Sequence, residues 1–145
     1  MGKDAMKFEV RREIAASAEK VWLVLTNAKT LQNGAFGVTK IEGEIKPGGS
    51  IKVWSEVSPG RAFPLKITEW IPGSHMTWEG GMPLGLFKGV RRFTLAPAPG
   101  GVTFHMQETY SGLLSGLITK SIPDLGPSFE KFAKGLKATS EGTAK

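Results

Sequence analysis

The sequence contains no cysteine and only two histidines, His75 and His105. Without cysteine the chain can form neither disulfide bonds nor a zinc site built on thiolates. A histidine metal site would need both histidines together with carboxylates. His105 alternates with Phe104 and Met106, which places it on the opposite, wetter face of a strand. We therefore predict surface histidines, no metal site and no bound cofactor.

The sequence also lacks an apolar run of about 18 residues, the minimum for a membrane-spanning helix. Its first residues, Met1–Met6, lack the apolar segment of a secretion signal, so we expect a cytoplasmic protein. A length of 145 residues with 40% hydrophobic content suits one domain, Met1–Lys145, with room for a core and a cavity. The small, polar residues Thr139–Lys145 are predicted to form a flexible tail.

Acidic residues are fewer than basic ones: 13 against 19, which gives a net charge of +6. The basic residues are spread along the chain and form no run of about five to eight, the pattern of nucleic-acid-binding segments. We expect the charge to serve solubility and predict no nucleic-acid partner. Affinity for an anionic partner is the alternative.

Residues Lys7–Ile14 carry the clearest strand pattern. Charged residues at odd positions alternate with apolar residues at even positions, which predicts one wet face and one covered face. Arg12 is the exception on the covered side. Ser17 can then cap a helix, and a second short helix is predicted around Ala28–Asn33.

Six further strands follow, separated by strong turn signals such as Pro47-Gly48-Gly49 and Pro72-Gly73. Turns at such short intervals join antiparallel neighbours. The predicted strands are Gly37–Lys46, Ser50–Ser58, Arg61–Ile71, Ser74–Gly80, Leu86–Leu95 and Val102–Ser111.

The C-terminal region, Leu113–Ala138, has the longest apolar stripe at helical spacing. Pro123 and Pro127 predict a break near Ser121–Pro127, after which Ser121 can cap a longer helix. The stripe consists of Leu114, Leu117, Ile118, Ser121, Ile122, Leu125, Phe129, Phe132, Ala133 and Leu136. We predict an α+β fold in which a curved, seven-stranded antiparallel sheet wraps around this helix, with two short helices after the first strand.

Three stretches, Ile14–Trp22, Ile67–Trp78 and Gly101–Leu114, give the chain a resemblance to the helix-grip (SRPBCC) superfamily. This superfamily includes START lipid-transfer domains, birch-pollen-allergen-like proteins and polyketide cyclase/dehydrase-like proteins. The resemblance implies a hydrophobic small molecule held in a cavity between the sheet and the C-terminal helix. Some members cyclise polyketides, but no stretch here matches a catalytic signature of the cyclases.

The covered strand faces and the helix stripe supply the predicted cavity lining. The alternative is that these side chains pack into a solid core, as most apolar stripes do. The predicted lining residues are Phe63, Leu65, Ile67, Met76, Trp78, Phe87, Phe93, Phe104, Met106, Leu114, Leu117, Ile118 and Phe129.

Four charged residues, Arg12, Glu69, Arg91 and Glu108, fall on otherwise apolar strand faces. If strict alternation holds, all four point inward, and the helix-grip arrangement would place Glu108 between Arg12 and Arg91. Such a cluster would orient the polar end of an amphipathic ligand. The alternative is that bulges or strand ends let these groups reach solvent.

The function predicted from these patterns is binding, for carriage or sequestration, of a hydrophobic or aromatic small molecule, by a monomer or homodimer. A cyclase/dehydratase-like enzyme is one alternative, for which Glu108 with Tyr110 could supply acid–base groups. A protein-interaction module with a packed core and no ligand is the other. We do not assign the chain as an enzyme.

Overall fold

The computed structural model describes residues 7–82, 84–114, 116 and 125–142, and within these ranges the chain forms seven strands and three helices. The strands are β1 (Lys7–Ile14), β2 (Val38–Glu42), β3 (Ser50–Ser55), β4 (Ser58–Ile71), β5 (His75–Met82), β6 (Phe87–Ala98) and β7 (Gly101–Ser111). The helices are α1 (Ala18–Leu25), α2 (Ala28–Leu31) and α3 (Gly126–Ser140).

All seven strands belong to one antiparallel sheet in the order β1-β7-β6-β5-β4-β3-β2. Neighbours from β2 to β7 are consecutive in sequence, because short turns allow only antiparallel pairing. Strand β1 closes the order by pairing with β7, so that Lys7 lies opposite Thr109 and Ile14 lies opposite Val102. The predicted α+β, helix-grip architecture is confirmed.

One face of the sheet is buried against α3 and forms the core. A single row across four strands consists of Val10, Met106, Phe93 and Met76, each at most 5% exposed. From α3, the ring of Phe132 lies 5.9 Å from that of Phe93. Because full burial of a large apolar side chain stabilises the fold by roughly 1.5–3 kcal/mol, this face fixes α3 on the sheet.

Helix α3 begins at Gly126, with Leu125 at the N-cap position and proline in the first turn. Proline is tolerated there because the first N–H groups of a helix have no intrahelical partner. The predicted cap, Ser121, lies outside the described residues. The predicted tail begins too early, since Thr139 and Ser140 belong to α3 and Ser140 is fully buried.

Polar contacts hold the length of α3 against β1. Near its start, Glu130 pairs with Arg12. Near its end, the Lys137 ammonium donates to the Glu13 carbonyl oxygen over 2.9 Å, and the Glu141 carboxylate accepts from the Ala15 N–H over 2.7 Å. The helix therefore runs along β1 and defines the space over the concave sheet face.

Helices α1 and α2 follow β1 as predicted, and each has a side-chain cap. Ser17 Oγ accepts from the Lys20 N–H over 3.1 Å, and Asn27 Oδ1 accepts from the Thr30 N–H over 3.1 Å. Trp22 of α1 packs edge-on against Trp70 of β4, with ring centroids 5.2 Å apart. This contact covers the sheet end opposite the β5–β6 turn.

Candidate functional site

A polar row crosses the otherwise apolar concave face next to the core row. Strand pairing places Trp78 opposite Arg91, Arg91 opposite Glu108, and Glu108 opposite Phe8. Each residue of this row is two positions along its strand from a residue of the core row, so both rows share one face. The row lies toward the sheet end that contains the β5–β6 turn.

Arg91, Glu108 and Tyr110 form a connected group, which we call the polar cluster. Arg91 Nε donates to Glu108 Oε1 over 2.5 Å, and the Tyr110 hydroxyl donates to Glu108 Oε2. The side chains of Arg91 and Glu108 are only 25% and 16% exposed. Each carboxylate oxygen thus has a donor, which offsets the cost of removing its charge from water.

Aromatic rings enclose the polar cluster. The Arg91 guanidinium lies 4.8 Å from the centre of the Phe129 ring of α3, a cation–π contact. Phe87 stacks on Tyr110 with centroids 5.8 Å apart, and Phe8 lies 5.9 Å from Phe129. The arrangement combines a fixed charge pair with flat apolar walls contributed by β1, β6, β7 and α3.

A glycine on β6 leaves room for the Tyr110 ring. Gly89 lies opposite both Gly80 and Tyr110, and a Cβ atom on Gly89 would meet the Tyr110 ring at 3.3 Å. A glycine inside a strand often marks such a close approach. Gly89 thus lets the phenol lie over the sheet and reach Glu108.

Trp78 contributes a hydrogen-bond donor with no acceptor. The residue is 2% exposed, and its indole Nε1 is one of three buried side-chain polar atoms without a partner in the part of the chain that the structure describes. The other two, on Thr139 and Ser140, belong to the end of α3. Buried donors are usually paired, so an unpaired N–H on Trp78, the residue opposite Arg91 in the sheet, marks a position suited to an acceptor atom.

Burial is the main cause that raises the pKa of Tyr110, and the charge and hydrogen bond of Glu108 raise it further. The phenol therefore stays protonated and acts as a donor. Tyr110 is the single tyrosine of the chain, so tyrosinate absorbance reports this group alone.

We expect the tyrosinate absorbance of the folded protein to stay flat through pH 10, near which a free phenol is half ionised. Because the unfolded chain releases this proton first, the phenol should lower the free energy of unfolding by up to about 1.4 kcal/mol per pH unit above that pH. The variant Tyr110→Phe should lack this slope. A titration midpoint near 10 in the folded state would contradict the buried hydrogen bond.

The prediction that Glu69 faces inward is wrong. Ile67 lies opposite Trp78 and Trp70 lies opposite Met76, so β4 carries one extra residue between the two pairs, a β-bulge. The bulge turns Trp70 toward the core and leaves the Glu69 side chain 51% exposed. On the outer face, Glu69 Oε1 accepts from Arg92 over 2.5 Å.

Arg12 faces the covered side but does not join the polar cluster. Its partner across the sheet is Phe104, four residues from Glu108, and its guanidinium pairs with Glu130 of α3. The predicted contact of Arg91 with Glu108 is confirmed, whereas the predicted contact of Arg12 with Glu108 is wrong. Phe8 takes the position that the sequence assigned to Arg12.

Phe63 shares the covered face with Val53, which lies opposite it on β3, but it is not buried. It precedes the part of β4 that pairs with β5, is 38% exposed and lies 5.4 Å from the Arg61 guanidinium. A separate depression of about 480 Å³ is lined by residues at β2, β3, β4 and β5, and not by residues of α3. Its lining includes the exposed Lys52 and Lys66.

The other predicted lining residues fall into three groups. Seven are at most 2% exposed and belong to the core: Ile67, Met76, Trp78, Phe93, Phe104, Met106 and Phe129. Three are half-buried: Leu65, Phe87 and Leu114. Leu117 and Ile118 lie outside the described residues. The lining prediction omitted Phe8 and Tyr110, although both share strand parity with residues of the covered face.

His105 lies on the outer face as predicted, where its Nε2 is 2.8 Å from Glu9 Oε1. Among the described residues, no three histidine, aspartate or glutamate side chains are grouped so that they could hold a metal ion. None of the helices in the described ranges is long and apolar enough to cross a membrane.

The profile of one protein family, described as polyketide cyclase / dehydrase and lipid transport, matches residues 5–141. The chain belongs to this family. Membership of this family supports a ligand-binding or cyclase-like role. No curated protein sequence matches the chain at a significant level.

Solved structures share the fold of this polyketide cyclase / dehydrase family member. A protein from Chromobacterium violaceum is 18% identical, with a TM-score of 0.68 over 93% of this chain and 96% of that one. Norcoclaurine synthase from Thalictrum flavum is 16% identical, with a TM-score of 0.69 over 94% and 86%. The di-domain ARO/CYC protein StfQ of the steffimycin biosynthetic pathway is 14% identical, with a TM-score of 0.71 over 95% and 52%.

Proposed function

We propose that this protein binds an apolar or aromatic small molecule between the concave sheet face and α3, for carriage or sequestration. The observation that carries the proposal is the unpaired indole N–H of Trp78, the residue that lies opposite Arg91 of the polar cluster in the sheet. Ligand sites are mostly apolar, with a few fixed polar groups that orient the ligand. The family match is consistent with this role.

The polar groups favour a ligand with an acceptor oxygen. Tyr110 keeps its proton and donates a hydrogen bond to Glu108, whose two oxygens both accept hydrogen bonds. The free Trp78 N–H and the remaining N–H groups of Arg91 are the donors that a ligand could use. A ketone, quinone or phenolic oxygen on a flat ring system matches these donors and the walls.

A matched pair of probes tests this proposal: 2-acetylnaphthalene, which has an acceptor oxygen, and 2-ethylnaphthalene, which has nearly the same shape without one. We expect the variant Trp78→Phe to bind the acetyl probe about two- to tenfold more weakly, the effect of one neutral hydrogen bond. Its affinity for the ethyl probe should be unchanged. Isothermal titration calorimetry measures both, and thermal unfolding checks that the variant is folded.

Trp54→Phe is the control, because Trp54 lies on β3 beneath the Lys40 ammonium, away from the polar cluster. Equal losses of both probes in Trp78→Phe, or an equal loss in the control, would overturn the proposed hydrogen bond. Absence of saturable binding to either probe would favour the protein-interaction module.

A cyclase-like activity is the second candidate. Arg91 and the unpaired Trp78 N–H could polarise a bound carbonyl group, which is a requirement of ring-closing chemistry on polyketides. Chromatography of a poly-β-ketone substrate incubated with the protein separates the two functions, since a carrier leaves it unchanged.

We further propose that the protein is a cytoplasmic monomer or homodimer. Because the basic residues are dispersed along the chain, we propose no nucleic-acid partner.

A further inference from the structure

The loop between α2 and β2, residues 32–37, contains the dipeptide Asn33-Gly34. The chain has two asparagines, and Asn33 is the one that a glycine follows, whereas Asn27 precedes Ala28. In such a pair the side-chain carbon Cγ is an electrophile, and the main-chain nitrogen of the next residue is the nucleophile that can attack it. Glycine has no Cβ atom to obstruct this attack and leaves the backbone free to rotate into it. The dipeptide is therefore a candidate site of covalent modification.

The surroundings of Asn33 favour this attack. Asn33 and Gly34 are both exposed, Gly34 has φ 99°, and a Cβ atom on Gly34 would meet nothing within 4 Å. The Gly34 N–H donates no hydrogen bond to any residue that the structure describes. Asn33 Oδ1 accepts from the Ala35 N–H over 2.9 Å. A donor at this oxygen polarises the side-chain carbonyl group and stabilises the negative charge that develops on it during attack.

Asn27 has the same side chain in a closed setting. Its Oδ1 accepts from the Thr30 N–H over 3.1 Å as the N-cap of α2. The next nitrogen belongs to Ala28, the first residue of that helix. The cap fixes the side chain and the helix fixes the backbone, so the Ala28 nitrogen cannot turn toward Cγ unless the cap breaks. Asn27 is thus an internal control for Asn33.

We propose that Asn33 deamidates spontaneously and that the isoaspartyl product weakens the contact of the loop with α3. The Gly34 nitrogen gives its proton to water and bonds to Asn33 Cγ. The bond from Cγ to the side-chain nitrogen then breaks, and ammonia leaves with a proton taken from water. Water opens the resulting succinimide ring at one of its two carbonyl groups, which yields aspartate or isoaspartate. The sum is one water consumed and one ammonia released, without oxidation or reduction.

The loop contacts α3 through close-packed groups. The Phe36 ring is 1% exposed and lies 5.4 Å from that of Phe132, and a Cβ atom on Gly135 would lie 2.4 Å from the Ala35 carbonyl oxygen. In isoaspartate the main chain passes through Cβ and Cγ of residue 33, so it is longer by one carbon atom. Because Ala35 and Phe36 follow within three residues, the added atom should displace groups that have no room to move. This inference does not rest on the proposed ligand.

The first test is incubation of the full chain in mildly alkaline buffer, followed by trypsin digestion and mass spectrometry. Cleavage after lysine places Asn33 in the peptide of residues 30–40 and Asn27 in the peptide of residues 21–29. We expect peptide 30–40 to gain one mass unit about a hundredfold faster, the usual effect of well-placed reacting groups. Isoaspartyl methyltransferase should label this peptide, because it methylates isoaspartate and not aspartate. Equal rates in the two peptides, or no gain in peptide 30–40, would overturn the modification site.

The second test separates the longer main chain from the added charge by urea denaturation. Asn33→Asp, measured before incubation, has the carboxylate, a normal main chain and an acceptor for the Ala35 N–H, so it should unfold at the same urea concentration as the unchanged protein. Asn33→Gln would need a six-membered ring and should keep its mass and stability through the incubation. The unchanged protein, once converted to isoaspartate, should unfold at lower urea. An incubated protein as stable as before, or a loss already present in Asn33→Asp, would overturn the effect of the longer main chain on α3.

Discussion

Replacement of Glu108 by alanine is expected to lower the free energy of unfolding by about 3 kcal/mol. The change leaves the Arg91 guanidinium, which is 25% exposed, without its carboxylate and leaves the Tyr110 hydroxyl without its acceptor. Urea denaturation measures the loss. The same variant should bind 2-acetylnaphthalene more weakly, because Arg91 is no longer held over the Phe129 ring.

Glu69→Ala is the control for this variant. The sequence predicts that both glutamates point inward. In the structure, Glu69 pairs with Arg92 on the outer face, where both side chains are about half exposed. Exposed ion pairs contribute at most about 1 kcal/mol, so the control should lose little stability and no affinity. Similar losses of stability in the two variants would contradict the buried polar cluster.

Replacement of Gly135 by alanine is expected to destabilise the protein by about 2 kcal/mol, the usual effect of overpacking a core. In an exposed helix the same change would stabilise by up to about 1 kcal/mol, because alanine is the better helix former. The difference arises because a Cβ atom on Gly135 would lie 2.4 Å from the Ala35 carbonyl oxygen. Helix α3 would have to move away from the loop before β2.

The exposed neighbour Lys134 supplies the control for this contact. Lys134→Ala should change the free energy of unfolding by less than about 0.5 kcal/mol, as surface substitutions usually do. Thermal and urea unfolding of both variants measure the effect. A Gly135→Ala protein that is as stable as the original would contradict the close packing of α3.

The parts of the fold that could be predicted have a local cause. Strand β1 has the predicted bounds, Lys7–Ile14, because one face is wet and the other is covered along its whole length. Ser17 caps α1 as predicted, since its hydroxyl needs only the N–H of Lys20, three residues on. Arg91 and Glu108 face each other because the turn from Ala98 to Gly101 fixes the register of β6 and β7.

The sequence-based predictions are wrong where the strand register depends on pairing between segments that are far apart in the sequence, or on a bulge. No turn connects β1 to β7, so the sequence does not specify that Arg12 lies opposite Phe104 and apart from Glu108. The side chain of Glu69 was misplaced because strict alternation ignores a bulge. The sequence contained a signal for this bulge: the large apolar residue of the covered face has an odd number at Ile67 and an even number at Trp70.

The unpaired Trp78 N–H could not have been predicted, because it depends on which groups the sheet and α3 bring near the indole. Alternation places Trp78 on the covered face, as observed, but pairing of its nitrogen is a property of the assembled core. The same applies to the Phe129 ring over Arg91, since it requires the position of α3 relative to β6.

The most direct test of ligand binding at the concave face is the proton–nitrogen NMR spectrum of the indole groups. The chain contains four tryptophans, so each indole N–H gives a separate signal that single Trp→Phe variants assign. On titration with 2-acetylnaphthalene we expect the Trp78 signal to move downfield, as a new hydrogen bond requires, while the Trp54 signal stays in place. A spectrum in which the Trp78 signal does not move, or in which Trp54 alone responds, would contradict a ligand held between the sheet and α3.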